Sequence, residues 1–271
     1  MLRSMAAPSG TSLADLRQLY VVQARPMPRA VERELRGDAR AGAQSIVAAV
    51  ERRRRSNRAE GQRLRRMVRR ESALWGAGVE LVAGVDEVGM SPLAGPVSAA
   101  AVILPVGARW AKVDDSKKVD PATRERLAAR IRAEAIAWAI GDVSPAEIDQ
   151  INIYHAGLLA MRRAVEGLRP RPAHLLIDAR RLADVAIPQD AIIRGDSQSL
   201  SIAAASIVAK VHRDGLMVEL DRTYPGYGFA RHKGYPVQEH YRALERLGVT
   251  PMHRRSFGPV RQALEREAEA G

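Results

Sequence analysis

At 271 residues the chain is long enough for one core of about 200 residues plus an appendage, and too long for a minimal module. Hydrophobic residues make up 46% and aromatics 4%, so the core must rest on Ala, Val, Leu and Ile; no apolar run nears the roughly 20 residues of a membrane span, and the lack of cysteine excludes disulfides and thiolate zinc sites. The net charge of +12, from 43 Lys and Arg against 31 Asp and Glu, favours polyanionic partners without identifying one.

The N-terminus, with Arg3 and then Pro8-Ser9-Gly10, has no apolar export stretch, so a cytoplasmic location is expected. Residues 1–75 carry 17 Arg, no Lys and seven acids, a net +10 (17 − 7) that is most of the excess. Thr11 or Ser12 is placed to cap a helix through about Tyr20, and Pro28 to open a second. From Ile46 to Trp75 the apolar residues Ile46, Val47, Val50, Leu64, Met67, Val68 and Leu74 fall mostly at helical spacings, surrounded by arginines, until Gly76 and Gly78 break the pattern. A small basic helical extension over 1–75 is expected. Its arginines suit either added duplex affinity or a solvated, salt-bridged face.

From Val79 the pattern becomes mixed. Glu80–Val85 and the nearly continuous apolar run Val97–Leu104 read as strands, the second a buried one. Pro121–Arg132 reads as a helix, Ala135–Ile140 as a third strand, and Pro145–Gly167 as a helix in two pieces broken near Asn152. His174–Ile177 and Ala191–Ile193 are short apolar strands of the parallel kind. A small-residue helix follows over Ser199–Leu220, then loops and short helices over Tyr224–Arg261. The alternation indicates an α/β fold around a mixed sheet. Expected boundaries are 1–75, a core over 76–222, and a helical and loop segment over 223–271 packed on that core.

Acids mark three predicted strand ends: Asp86 and Glu87, then Asp178, then Asp196. Neighbouring strand residues point to opposite faces, so Asp86 and Glu87 converge only if the strand stops at Asp86 and Glu87 opens the turn, which Gly89 and Pro92 permit. Four such carboxylates suit a hard cation such as Mg²⁺ or Mn²⁺. Acids also stand at strand ends simply because strands end at the surface, and spacing alone leaves both readings open.

The segment Gly84–Pro105, GVDEVGMSPLAGPVSAAAVILP, closely resembles the first motif of bacterial ribonuclease HII. Further matches follow in order: Asp115-Ser116-Lys117-Lys118, Ile151-Asn152-Ile153 with His155, Leu176-Ile177-Asp178, and Arg194-Gly195-Asp196-Ser197. Ser201–Lys210 with Arg213-Asp214 comes next, then Tyr227-Gly228-Phe229, His232-Lys233-Gly234-Tyr235 and His253–Phe257. The likeness spans roughly 79–262, and Glu71-Ser72-Ala73-Leu74-Trp75 resembles the helical extension of the longer bacterial members.

The resemblance implies a ribonuclease H-like fold, a five-stranded mixed sheet flanked by helices. It implies an endonuclease that hydrolyses the RNA strand of RNA–DNA hybrids, or of DNA duplexes with embedded ribonucleotides, on the 5′ side of a ribonucleotide, leaving 3′-hydroxyl and 5′-phosphate. Two divalent ions, Mn²⁺ or Mg²⁺, would act per site. Carried over by position, Asp86 would bridge them, Glu87 and Asp178 would each help hold one, and Asp196 would serve the ion that activates water. A monomer is expected, with no membrane partner.

Gly89, Met90, Ser91, Lys117, Lys118, Lys210, Arg213 and Tyr235 are the expected substrate contacts, Tyr235 packing against a sugar. Lys210 and Arg213 suit phosphates or an ordinary helix surface. Asp214 reads as a helical ion pair, and His232 and His253 as structural or phosphate-binding groups. One departure stands out: Gly89-Met90-Ser91 replaces the usual Gly-Arg-Gly, losing a cation and adding a Cβ where backbone approaches the 2′-hydroxyl. Weaker recognition of a single embedded ribonucleotide is expected. The competing readings are a catalytically impaired nucleic-acid-binding homologue and another nuclease of the same fold.

Overall fold

A computed structural model describes residues 11–270; the stretch of Arg3 and Pro8-Ser9-Gly10 lies outside them. The chain divides into two compact units between residues 63 and 64.

In the first unit, Ser12 accepts the Asp15 N–H and caps α1 (Leu13–Arg17), which runs on into a π-helical turn over Gln18–Val22. Pro28 precedes α2 (Arg29–Gly37), and α3 (Ala41–Met67) starts after Asp38 turns the chain by bonding Arg40. Tyr20, Val31, Leu35, Ile46 and Val50 form an apolar core between these helices. Several arginines are already engaged. Arg36 bridges Glu32 and Glu51, Arg54 also binds Glu32, and Arg53 caps the carbonyls of Tyr20 and Arg25. A salt-bridged surface therefore describes part of this unit.

The sequence-based boundary after residue 75 falls inside the second unit. Leu64, Met67 and Val68 are buried in its core, and α4 (Arg69–Gly76) packs there through Leu74 and Trp75. The apolar spacing that runs on past residue 63 thus serves two cores in turn.

The sheet contains β1 (Val82–Val88), β2 (Val97–Ile103), β3 (Ala137–Val143), β4 (His174–Asp178) and β5 (Gln189–Ile192). Their order is β3-β2-β1-β4-β5, antiparallel among the first three and parallel from β1 to β5. Helix α5 (Pro121–Glu134) precedes β3, α6 (Pro145–Glu166) follows it, and α7 (Leu200–Thr223) follows β5. Alternation along β2 sends Ala100 and Val102 toward α5 and α7, and Ala99, Ala101 and Ile103 toward α6. Both faces are thereby covered, as the continuous apolar run requires.

Asn152 breaks α6 at φ 65°, and its side chain accepts the N–H groups of Tyr154 and His155, which caps the second piece. The tail forms α8 (Phe229–His232), α9 (Gln238–Leu247) and α10 (Gly258–Ala270). Among the described residues no helix is long and apolar enough to cross a membrane.

Candidate active site

Strand β1 does not stop at Asp86. It continues to Val88, with Asp86, Glu87 and Val88 paired to Ala100, Ala99 and Ser98 of β2. On its other side, pairing to β4 ends at Val85 opposite Ile177. The two acids therefore share a reach for a different reason from the one expected: beyond Val85 the β4 side of β1 is unpaired, and a cavity opens there to both faces of the strand.

That cavity, about 280 Å³, is lined by Asp86, Glu87, Asp178 and Asp196, with Gly89, Met90, Ser91, Ser116, Lys117, Ser206, Lys210 and Tyr235. Asp178 is the last residue of β4, and Asp196 sits on a single 3-10 turn between β5 and α7. The Gly195 N–H donates to Asp178 Oδ1 at 2.6 Å, which ties two of the strand ends together. A larger groove of about 740 Å³ runs between Tyr154 and Val185, but its lining is mostly apolar and includes a single carboxylate, Asp184. Chemistry outweighs size here.

Electrostatics mark the smaller cavity. Burial, then the neighbouring Glu87 charge, push the Asp86 carboxyl well above its ordinary range, with Asp178 and Asp196 adding to the effect. Burial also raises Glu87, while Arg180, 3.6 Å away, opposes the shift. Asp196 is raised by burial, then by the charges of Asp115 and Asp178, and lowered by Lys117. Like charges are thus crowded in a desolvated pocket, with Lys117 and Arg180 offsetting part of the repulsion.

Among the described residues no three His, Cys, Asp or Glu side chains stand ready-grouped around one coordination point. Three of the four carboxylates are turned to a neighbour: Asp86 to the Glu87 N–H, Glu87 to Arg180, Asp178 to Gly195. The donor set still fits hard divalent cations. It is all oxygen, its charges repel, and Glu87 Oε2 is buried without a hydrogen-bond partner.

Ten of the twelve expected site residues line the cavity; Lys118 and Arg213 do not. Lys118 is exposed and faces Asp114 and Asp115 at 3.9 and 3.7 Å. Arg213 corrects the expectation of a phosphate contact. It is fully buried and donates to the carbonyls of Pro96, Lys233 and Ala94 at 2.9, 3.1 and 3.2 Å. A fully buried arginine with three of its N–H groups bound to main-chain carbonyls is out of reach of a phosphate.

Arg254, equally buried, donates to Gly89, Met90, Gly95 and Pro96 carbonyls. Burial, and Arg213 beside it, lower its guanidinium to about 9. Lys210 pairs with Asp214 at 2.8 Å and lies 6.0 Å from the Tyr235 ring centre, so Asp214 is the ion-pair partner expected. His232 binds the Tyr227 carbonyl, and His253 is buried against His240 at 3.0 Å. Neither lines the cavity. Arg180, Ser116 and Ser206 were missed as site residues, although Ser116 and Ser206 lie inside quoted motifs and Arg180 follows Asp178 by two positions.

A sequence model of ribonuclease HII matches residues 83–260, and one of the ribonuclease HII N-terminal domain matches 23–75. The chain is 56% identical over 253 residues to the ribonuclease HII of Anaeromyxobacter sp. (strain Fw109-5), covering 93% of this chain and 80% of that one. It is 53% identical over 231 residues to that of Geobacillus kaustophilus (strain HTA426), covering 85% and 88%. The fold is similar to the crystal structure of ribonuclease H2 from Pyrococcus horikoshii OT3, with TM-score 0.58, 25% identity, and coverage of 69% of this chain and 99% of that one.

Proposed function

The chain belongs to the ribonuclease HII family, and from that premise we propose that it cuts on the 5′ side of a ribonucleotide by two-metal-ion catalysis, leaving 3′-hydroxyl and 5′-phosphate ends. The coarser activity follows from membership: it is an endonuclease that degrades RNA in RNA–DNA hybrids. The observation that carries the finer reading is the convergence on one cavity of Asp86 and Glu87 from β1, Asp178 from the end of β4 and Asp196 from the turn after β5.

The family is divalent-metal dependent. Asp86, at the centre of the crowded charges, suits a shared ligand, with Glu87, Asp178 and Asp196 around it. Mn²⁺ or Mg²⁺ bound there would stabilise charge on the phosphodiester and acidify the attacking water. The protein's own groups do the rest. Gly89, Met90, Ser91 and Tyr235 all line the cavity, so a ribonucleotide entering it would meet the 89–91 main chain and the Tyr235 ring. Lys117 is exposed at the rim and is free to meet a phosphate. Tyr235 comes from segment 223–271, which supports a substrate-binding role for that segment.

Ser91 puts an exposed side chain, and Met90 an uncharged one, where the family resemblance implies glycine and arginine. Weaker grip on a lone ribonucleotide follows from the lost cation. The test is cleavage of a uniform RNA–DNA hybrid and of a duplex with one ribonucleotide, in Mg²⁺ and in Mn²⁺, beside Asp86→Asn. Cleavage of the hybrid that Asp86→Asn abolishes is the expected result. Tight hybrid binding with no cleavage in either ion would replace this reading with that of an impaired binding homologue.

A further inference from the structure

Glu71 lies on α4, ahead of the sheet and within the stretch matched by the N-terminal family model, yet it is fully buried. Among the described residues no cation pairs with it at ion-pair distance. Its Oε1 instead accepts three hydrogen bonds, from Ser199 Oγ at 2.6 Å, Ser201 N–H at 2.9 Å and Ser201 Oγ at 2.8 Å. These groups form the N-terminus of α7, where Ser199 is the cap and Ser201 carries one of the amides that the helix itself leaves unpaired. A carboxylate at that end is favoured by the helix dipole as well.

The consequence reaches the active site by short steps. Ser199 gives its only hydroxyl proton to Glu71, so its oxygen is left to accept the Ile202 N–H as the cap. The Ser199 N–H in turn donates to the Gly195 carbonyl at 2.8 Å and closes the turn that carries Asp196. Gly195 N–H holds Asp178. The same first turn of α7 presses on β1: a Cβ on Gly84 would lie 2.0 Å from the Ser201 carbonyl carbon, two residues before Asp86. The seat of α7 thus sets the spacing of Asp196 and Asp178 from Asp86, and the helix carries Ser206 and Lys210 into the cavity.

We propose that Glu71 is a positioning residue: by anchoring Ser199 and Ser201 it fixes the Asp196 turn for metal binding, so a segment outside the sheet completes the active site. The inference rests on the metal-dependent nuclease reading above.

The experiment uses the full chain and compares wild type, Glu71→Gln and Glu71→Ala. Three quantities are measured: the Mn²⁺ concentration giving half-maximal hybrid cleavage, Mn²⁺ binding followed by its electron paramagnetic resonance, and amide hydrogen exchange over 195–202 in chelator. Glu71→Ala is expected to raise the Mn²⁺ requirement about tenfold or more, as loss of a group that orients ligands does. Exchange over 195–202 should quicken selectively. Glu71→Gln keeps one acceptor oxygen and should recover most of the loss.

A merely structural Glu71 would lower the unfolding midpoint while the folded fraction kept its wild-type Mn²⁺ requirement; that result, or unchanged exchange at the turn, overturns the proposal. If wild type itself neither binds Mn²⁺ nor cuts, the nuclease reading has failed, and that outcome is told apart from failure of the Glu71 inference by the wild-type arm alone.

Discussion

A Cβ built on Gly89 would lie 2.2 Å from Arg213 Nε. The loop after the paired acids therefore closes directly over a buried guanidinium, and Arg213 joins that loop to the turn bearing Tyr235 through Pro96 and Lys233. Gly89 also has φ +88°, a conformation that costs other residues about 1–3 kcal/mol. Gly89→Ala is expected to lose at least that much stability, since Arg213 must move as well. Hybrid cleavage should fall with it at temperatures where the variant is folded. Urea unfolding and a cleavage assay check both; an alanine variant as stable as wild type would mean the collision is relieved without effect.

Asp86 sits among three other carboxylates with little water around it. Replacing it with Asn keeps an oxygen for the Glu87 N–H and removes one of the repelling charges. In chelator at pH 8, Asp86→Asn is expected to unfold a few degrees higher than wild type, because about 1 kcal/mol moves the midpoint of a domain this size by roughly 2–4 °C. Adding Mn²⁺ should then stabilise wild type more than the variant. Scanning calorimetry with and without Mn²⁺ decides; equal stabilisation of both proteins would remove Asp86 from the metal site.

The α/β alternation was legible because β1, β2 and β4 are apolar runs bounded by clear punctuation, and the motifs pointed to four acids that line one cavity. What was not legible depended on long-range packing. Arg213 reads as an exposed helix charge until the tail folds back and supplies Lys233 O as its partner. Glu71 follows a run of arginines and looks like part of their salt bridges, yet its partners are 128 and 130 residues away. The turn expected at Glu87 illustrates the same limit, because only the pairing of neighbours on either side decides where β1 ends.

His253 reads in sequence as a structural or phosphate-binding group, and in the fold it forms a directed chain with His240. The Thr250 N–H donates to His253 Nδ1, so the proton of His253 lies on Nε2 and points at His240 Nε2, 3.0 Å away. His240 must then carry its proton on Nδ1, which donates to the Tyr235 carbonyl. Burial lowers His240 to about 4 and His253 to about 3. Unfolded histidine titrates near 6.5, so the unfolded chain binds the protons first and stability is lost as pH falls from about 6.5 toward 4. His240 alone accounts for a loss on the order of 3 kcal/mol across that window. His240→Gln should flatten this acid limb in unfolding curves at pH 7 and 4.5. Wild type and variant losing equal stability between those pH values would show that His240 is not the group responsible.

Met90 bears on recognition through packing as well as charge. Its side chain is half-buried against the apolar cluster beneath α6, lying about 3.0 Å from where a Cβ on Gly157 would stand. An arginine could not keep a desolvated guanidinium there and would turn toward the cavity that residues 89–91 line. Met90→Arg with Ser91→Gly is therefore expected to lose about 1–2 kcal/mol of stability through the vacated apolar contact. It should gain a cation and closer main-chain approach at the ribonucleotide. The ratio of kcat/KM for a single-ribonucleotide duplex to that for a uniform hybrid should rise about tenfold, roughly 1.4 kcal/mol of selective binding. The ratio is the informative quantity, because a general gain in duplex affinity raises both substrates together. An unchanged ratio would show that Met90 and Ser91 do not limit recognition of the lone ribonucleotide.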